Sequence, residues 1–199
     1  MKHIITSALA AAFALTCAHA KEVGQPAPEF TGKTLTGEEV SLSDFEGKVV
    51  VLEWVNFDCP FVRKHYSASG NMGNLQEKYT EKGVVWLTIC SSAEGEQGYF
   101  KPSAQAERAE KEGNKATHFI YDSDGTIGRA FDARVTPHMF VICKEGVVRY
   151  NGAIDSIRSG NADDIEKAEP LLANAIDAVL AGEEVQNATN QPYGCGVKY

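Results

Sequence analysis

Residues 48–60 read KVVVLEWVNFDCP, and this stretch determines the fold that the sequence predicts. Its first eight residues form a nearly continuous apolar run rich in β-branched side chains, which is typical of a strand buried on both faces. Asn56-Phe57-Asp58 follows as a turn, and Asp58 is placed to cap a helix that opens at Cys59-Pro60, with proline in its first turn. The stretch therefore predicts a buried strand that ends beside a helix beginning at a cysteine.

Apolar runs alternate with helical patterns along the rest of the chain. Further strands are predicted over 84–90, 118–121, 138–143 and 147–151, and helices over 59–82 (interrupted at 69–71), 102–112, 126–132 and 170–181. The turn-rich residues 21–46 predict an N-terminal strand or hairpin. Helical crossovers imply parallel pairing of the first strands, whereas the tight turn at 144–146 implies an antiparallel last pair. The fold class is therefore α/β, with a mixed central sheet and helices on both faces.

Length and composition restrict the kinds of protein that the chain can be. It has 199 residues, of which 43% are apolar, and this favours one domain with a well-buried core. Charged residues make up 23% of the chain, which argues against global disorder. The formal net charge is −8 and no block of five or more basic residues occurs, so a nucleic-acid partner is not expected. Five cysteines are too few for a disulfide-dense scaffold.

The N-terminal segment has the pattern of a secretory signal peptide. Residues 1–20 combine Lys2, an apolar stretch and the small-residue pattern Ala18-His19-Ala20, with cleavage expected after Ala20. The apolar stretch is too short to span a bilayer, and a buried N-terminal helix is the alternative. Export predicts a periplasmic or secreted protein, without membrane association after cleavage, in a compartment where cysteine pairs persist. The remaining chain divides into a domain over 21–181 and an irregular tail over 182–199.

Cys59 is the candidate nucleophile. It is expected at the carboxyl edge of the sheet, where the ligand and catalytic sites of α/β proteins lie. The positive end of the helix dipole and the nearby cations Arg63, Lys64 and His65 favour a thiolate, whereas the negative charge of Asp58 opposes it. The thiolate is the form that attacks a disulfide or a peroxide. The alternative is that Cys59 is a small buried apolar residue.

Several of these segments together resemble a known family. The chain resembles the redoxin branch of the thioredoxin superfamily in five segments taken in order. They are GKVVVLEW–DCPFV, VVWLTI, the turn at 122–125, Val135-Thr136-Pro137 and VIC-KEG. The motif CPFVR at 59–63, together with YGCGVK at 193–198, is similar to a peroxiredoxin-like family with a CPFV motif and a C-terminal GC-x-x-K tail. The resemblance covers residues 24–199. It implies a thioredoxin-like fold with an N-terminal strand extension, a nucleophilic Cys59 and a cis Pro137 facing it.

The motif departs from the better-known members of that superfamily. Val62 stands where thioredoxins have the second cysteine of C-x-x-C, and Arg63 stands where copper chaperones have the second cysteine of C-x-x-x-C. Leu52 and Asn56 stand where peroxiredoxins have proline and the Thr or Ser that positions a peroxide, although the amide of Asn56 is able to donate a hydrogen bond instead. The missing hydroxyl disfavours fast peroxide reduction. Any second sulfur must come from elsewhere in the chain.

Cys195 and Cys90 are the candidates to resolve oxidised Cys59. Cys195 lies in a glycine-flanked tail that is able to fold back over the sheet edge, and the alternatives are that it binds a partner or has no role. Cys90 ends a parallel strand and is expected at the same edge as Cys59, with simple packing as its alternative role. Cys143 ends an antiparallel strand at the opposite edge and is interpreted as structural. We expect an intramolecular disulfide from Cys59, foremost to Cys195.

The other site candidates are side chains expected near Cys59. They are Trp54, Asn56, Pro60, Arg63, His65, Cys90, Thr136, Pro137 and His138, with Arg129 and Arg134 as further anion-binding candidates. A cluster of Cys59, His65 and His138 would suit a soft metal. No C-x-x-C or H-x-x-x-H spacing supports such a site, so neither a metal nor a cofactor is predicted. The sequence thus predicts an exported thiol-dependent oxidoreductase that acts on a protein disulfide or a peroxide and is reduced by an external thiol. The alternative is a non-catalytic thioredoxin-like module that binds a partner or handles copper.

Overall fold

The computed structural model describes residues 22–199, so the predicted signal peptide of residues 1–20 lies outside the described residues. The strands are Thr31–Thr34 (β1), Glu39–Ser41 (β2), Val50–Trp54 (β3), Val85–Cys90 (β4), His118–Tyr121 (β5), Val135–Thr136 (β6), His138–Ile142 (β7), Val148–Gly152 (β8) and Cys195–Gly196 (β9). The α-helices are Pro60–His65 (α1), Asn71–Thr80 (α2), Pro102–Glu112 (α3), Thr126–Ala130 (α4) and Leu171–Ala181 (α5), and 3-10 helices cover Leu42–Phe45 and Ala162–Lys167. The predicted order of elements is confirmed.

Seven of the strands form one mixed sheet in the order β2-β1-β5-β4-β3-β7-β8. Strands β3, β4 and β5 are parallel, because helices return the chain between them. Strands β7 and β8 are antiparallel to their neighbours, as the tight turn between them requires. The hairpin of β1 and β2 extends the sheet beyond β5. The predicted mixed sheet and N-terminal extension are therefore confirmed.

Strand β3 is an interior strand of the sheet, between β4 and β7, and all five of its residues are buried. Its side chains alternate between two cores, as the two-residue repeat of a strand requires. Val51 packs in the core beneath α1, α2 and α5, whereas Leu52 and Trp54 pack in the core that contains Ile127 of α4. Helices therefore cover both faces, and the continuous apolar pattern of 48–55 follows from burial on both sides.

A break between α1 and α2 interrupts the helical pattern where the sequence predicts it. Helix α1 ends at His65 and α2 begins at Asn71. Gly70 precedes α2 with φ 69°, a left-handed conformation that glycine adopts without steric cost. The short helix α1 is thereby set apart from α2 and ends close to the sheet edge at which it begins.

The C-terminal tail folds back across the carboxyl edge of β3. Thr189 bridges to Asn151 of β8, and β9 pairs antiparallel with β6. The tail predicted to be irregular therefore contains one short strand, because its backbone finds unpaired groups on β6. Within residues 22–199, none of the helices has the length and apolar composition needed to cross a bilayer.

Candidate functional site

Cys59 lies at the junction of β3 and α1, where it is the residue immediately before the first helical turn. Its carbonyl oxygen accepts hydrogen bonds from the N–H groups of Val62 and Arg63, and Pro60 occupies the first helical position. Its thiol Sγ donates to the carbonyl oxygen of Thr136 at 3.1 Å. The residue is 0% exposed. The predicted position of Cys59 is therefore found, but the thiol is covered.

The residue that accepts this hydrogen bond precedes a cis proline. The Thr136-Pro137 peptide bond is cis, as the family resemblance implied. The short strand β6 ends at Thr136, so the carbonyl group of this residue is directed at the Cys59 thiol. Thr136 therefore contacts the Cys59 thiol directly, and Pro137 is the next residue in the chain.

Cys195 also lies against the Cys59 thiol. Its backbone N–H donates to the Cys59 Sγ at 3.4 Å, and its register partner in the β6–β9 pair is Thr136. Gly194 makes this approach possible, since a Cβ on that residue would overlap the Thr136 carbonyl oxygen. Burial and the neighbouring Cys59 side chain raise the pKa of the Cys195 thiol. The tail is thus part of the cover over Cys59 and brings a second sulfur to it.

A buried charged cluster lies next to the two cysteines, and the sequence did not reveal it. The Lys64 ammonium donates to Asp155 Oδ2 at 2.7 Å, to the Tyr193 hydroxyl at 3.0 Å and to the Ile157 carbonyl oxygen at 3.0 Å. The Tyr193 hydroxyl donates to Asp155 Oδ1. Lys64 is fully buried. Lys64, which the sequence offers as a cation in reach of Cys59, therefore has Asp155 as its ionic partner.

The sequence and the fold of this chain were compared with those of known proteins. The Redoxin family model matches residues 22–169. This chain belongs to the redoxin family. It is similar to the thioredoxin-like protein YneN of Bacillus subtilis (strain 168), with 41% identity over 71 residues, which are 36% of this redoxin and 40% of YneN. The match therefore spans less than two thirds of that relative.

Two further relatives support the assignment. The thiol-disulfide oxidoreductase ResA of Bacillus cereus (strain ATCC 10987 / NRS 248) is 27% identical over 127 residues, which cover 64% of this redoxin and 67% of ResA. An uncharacterized conserved protein from Geobacillus kaustophilus superimposes with a TM-score of 0.77 at 25% identity, covering 89% of this redoxin and 92% of that chain. The thioredoxin-like fold is confirmed.

The loop before Cys59 differs from the prediction. Asp58 does not cap helix α1; its carboxylate instead pairs with Arg108 at 3.0 Å, because α3 brings that guanidinium to the loop. Asn56 is held by the backbone, with its Nδ2 donating to the Gln97 carbonyl oxygen at 3.1 Å and its Oδ1 accepting from the N–H of Asp58 at 2.9 Å. The side-chain amide of Asn56 therefore shapes the loop through its oxygen and one of its two N–H groups.

Trp54 and His138 are register partners on adjacent strands, and both side chains lie on the sheet face of the α4 core. Trp54 Nε1 donates to the Ser91 hydroxyl, and His138 is bonded through Nε2 to Asn151. Burial lowers the pKa of His138 to about 4. Cys59 packs in the other core, so the prediction that these two side chains line its thiol is corrected by the alternation of strand residues.

The ionisable groups of α1 are also arranged differently from the prediction. His65 is buried and bonded through Nδ1 to Asn71, and its Nε2 lies 3.6 Å from Asp155 Oδ2. Burial lowers the pKa of His65 to about 4. Arg63 is exposed. Neither imidazole is therefore held against Cys59, and no group of three or more His, Cys, Asp or Glu residues suited to a metal occurs within residues 22–199.

The two predicted anion-binding arginines have other partners. The Arg129 guanidinium lies over the Tyr199 ring at 4.6 Å and donates to the Asp124 carbonyl oxygen. Arg134 pairs with Asp132 at 2.6 Å. The Arg129 guanidinium therefore packs on the tail, and the Arg134 guanidinium is paired within its own loop.

Cys90 and Cys143 lie at opposite edges of the sheet, as predicted. Cys90 ends β4 at the same edge as Cys59, because β3 and β4 are parallel. Its thiol is buried and donates to the Gly98 carbonyl oxygen at 3.6 Å, and burial raises its pKa. Cys143 follows β7 at the far edge. Cys90 is therefore buried with its thiol bonded to the backbone, whereas Cys195 contacts the Cys59 sulfur through its N–H.

A second buried carboxylate lies below the site in β3. Glu53 is fully buried, and its oxygens accept hydrogen bonds from four neutral donors: Tyr66 at 2.7 Å, Trp86 at 2.8 Å, Gln76 at 2.9 Å and Thr88 at 3.3 Å. Burial raises the pKa of Glu53 above its ordinary value. In the sequence, the sign of this cluster is a glutamate within an otherwise apolar run. A glutamate is rare in a buried strand unless its charge is compensated.

Proposed function

We propose that this redoxin is a thiol–disulfide oxidoreductase in which Cys59 is the nucleophile and Cys195 is the resolving cysteine. The observation that carries the proposal is the hydrogen bond of 3.4 Å from the Cys195 N–H to the Cys59 sulfur, within a strand pair that holds the tail at the site. Similarity to a protein named as a thiol-disulfide oxidoreductase gives independent support. The placement of Cys59 before a helix suits a thiolate nucleophile.

The proposed reaction takes two exchange steps. The Cys59 thiolate attacks one sulfur of a substrate disulfide, forms a mixed disulfide and releases the other substrate sulfur as a thiolate. The Cys195 thiolate then attacks the Cys59 sulfur, forms the Cys59–Cys195 disulfide and releases the first substrate sulfur. The substrate disulfide is reduced to two thiols and the redoxin is oxidised. An external thiol reductant reverses the oxidation by the same chemistry.

Access to Cys59 requires the tail to move, because the thiol is fully covered. The cover at this point consists partly of the two-residue strand β9 and its pairing with β6. A pair this short opens at a much lower free energy than the central sheet. Lifting of the tail therefore exposes Cys59 to a protein disulfide while the core stays folded.

A peroxide is the second candidate substrate. Cys59 would reduce it to an alcohol or to water and become a sulfenic acid, which Cys195 would convert to the disulfide with release of water. No hydroxyl replaces the Thr or Ser of peroxiredoxins, and the Asn56 amide is bonded to the backbone. We therefore propose the disulfide as the main substrate. Residues 1–20 support a periplasmic or secreted location, where protein disulfides form.

The proposal is tested by mapping disulfides after oxidation of the reduced protein (residues 21–199) with glutathione disulfide. We expect one intramolecular disulfide between Cys59 and Cys195. We also expect Cys195→Ser to accumulate the glutathione mixed disulfide on Cys59, since the resolving step is lost. Cys143→Ser is the matched control, because it removes a thiol at the opposite sheet edge, and it is expected to behave as wild type. Finding Cys59 free, with Cys195 free or paired elsewhere, would contradict the proposal.

A further inference from the structure

We propose that Lys64, Asp155 and Tyr193, which we call the tail anchor, are positioning residues that place Cys195 for attack on the Cys59 disulfide. This inference rests on the proposed function and adds the residues that control its second step. None of the three touches the reacting sulfurs in the structure. They act on the reaction through the position of the tail.

The tail anchor connects the two segments that carry the sulfurs. Lys64 belongs to α1, the helix that begins beside Cys59, and Tyr193 lies two residues before Cys195. The Tyr193 ring also packs edge-on against Phe61 of α1, with ring centroids 5.7 Å apart. The hydroxyl and the ring therefore both hold the tail to the helix of the nucleophile.

Every polar group of the anchor has a partner. The three N–H groups of the Lys64 ammonium match its three acceptors, namely Asp155, Ile157 and Tyr193. Asp155 uses one oxygen for Lys64, and its other oxygen accepts from Tyr193 and from the N–H of Ile157. Tyr193 is the single anchor residue that belongs to the tail. When the tail lifts, Lys64 and Asp155 stay paired on the body of the domain as a preformed socket for the tyrosine hydroxyl.

The buried pair suits a positional role better than a purely stabilising one. Two buried charges lose much of their mutual attraction to the cost of leaving water, and a packed apolar cluster of the same size often stabilises as well. A charged socket is more selective than an apolar patch, because its hydrogen bonds require one direction of approach. Docking of Tyr193 therefore returns Cys195 to a single position rather than to a range of positions.

The position of Cys195 determines the rate of the second step. A thiol held in attack geometry reacts at an effective concentration far above that of a thiol on a free tail. After the mixed disulfide forms with the tail lifted, the tail must dock again before Cys195 reaches the Cys59 sulfur. Loss of the Tyr193 hydroxyl removes two hydrogen bonds to charged groups, and we expect resolution to slow by about tenfold to a hundredfold.

The test separates the two steps with Tyr193→Phe, which removes one oxygen and keeps the ring on Phe61. In the variant with Cys195 intact, we expect conversion of the Cys59–glutathione mixed disulfide to the Cys59–Cys195 disulfide to be slower than in wild type. In the Cys195→Ser background, we expect Tyr193→Phe to leave alkylation of Cys59 by iodoacetamide unchanged or to make it faster, because the cover lifts more readily. A fall in the rate of resolution without a fall in the rate of Cys59 alkylation is not produced by general loss of structure.

Tyr79→Phe is the matched control. The Tyr79 hydroxyl also joins a lysine and an aspartate, Lys78 and Asp177, but these lie on α2 and α5 and not on the tail. We expect Tyr79→Phe to resolve the mixed disulfide at the wild-type rate. The inference is overturned if Tyr193→Phe also resolves at that rate, or if Tyr79→Phe slows resolution equally. If wild type forms no Cys59–Cys195 disulfide at all, it is the proposed function that fails.

Discussion

Glu53 and Asp155 are two buried carboxylates near helix α1, and the protein compensates them in different ways. Glu53 lies on the interior strand β3 among neutral donors, the nearest being Tyr66 just after α1. Asp155 lies after β8 and forms an ion pair with the ammonium group of Lys64 in α1. Burial raises the pKa of Glu53, because neutral hydrogen bonds offset only part of the cost of removing its charge from water.

The two buried carboxyl groups differ in which segments of the chain their hydrogen bonds connect. The Glu53 cluster joins β3 to the elements packed directly on it, so all its members move with the core. The Asp155 cluster joins α1, the loop after β8 and the tail, and one of its members, Tyr193, belongs to the tail, which must move in the proposed function. Neutral donors therefore surround the carboxyl group that lies within the core, whereas an ion pair joins the C-terminal tail to the rest of the domain.

Replacement of Lys64 gives the largest expected effect, because Lys64→Met leaves the Asp155 charge buried without a counter-ion. We expect the free energy of unfolding at pH 7 to fall by about 3–5 kcal/mol, measured by urea denaturation. Lys115→Met is the control, since Lys115 pairs with Glu77 on the exposed surface, and such a pair contributes about 1 kcal/mol or less. A loss at Lys64 no larger than the loss at Lys115 would contradict the role of the buried pair.

The pH dependence of stability sharpens the contrast, first through His65. Its pKa is about 4 in the folded protein and 6.5 in its ordinary state, so the unfolded chain binds the proton more readily between these values. Stability is therefore lost as the pH falls from 6.5 to 4, by about 3 kcal/mol relative to His65→Gln. Urea denaturation at pH 7 and pH 4 measures the difference, and the imidazole resonance is expected to titrate near pH 4. A midpoint near 6.5 would show that the ring is accessible to solvent.

Glu53 is expected to act in the opposite direction. Because its folded pKa is raised, the folded protein binds the proton more readily, and the stabilising effect of protonation is present below pH 4.5 and lost as the pH rises. Wild type should lose stability relative to Glu53→Gln by about 1.4 kcal/mol for each unit by which the pKa is raised. Urea denaturation of both proteins from pH 5 to pH 8 measures this slope. Parallel curves for the two proteins would mean that the carboxyl group titrates normally.

Much of the fold follows from local patterns that the sequence displays directly. The apolar run before Cys59 predicts a strand covered on both sides, and Pro60 after it predicts the start of a helix. The Lys144-Glu145-Gly146 turn predicts the antiparallel return. Each of these depends on neighbours within a few residues, and the structure agrees with each.

The contents of the site were harder to predict, because they depend on contacts between distant segments. Lysine side chains are mostly exposed, and no local signal shows that Lys64 meets Asp155 and Tyr193, which lie far along the chain. Trp54 and His138 are near Cys59 in sequence or register, yet they face the other core. Proximity in sequence did not indicate the face of the sheet on which a side chain would lie.

The sequence by itself determined the order of strands and helices, the placement of Cys59 at a strand–helix junction and the presence of a second cysteine in the tail. These are properties of hydrophobic period, turn residues and residue type, which a short window contains. Only the tertiary structure decided that the tail covers Cys59, that Cys195 is the sulfur beside it and that Lys64 is buried against Asp155. The physical reason is that burial and charge pairing depend on which distant segments share a volume, and packing of the whole chain settles that.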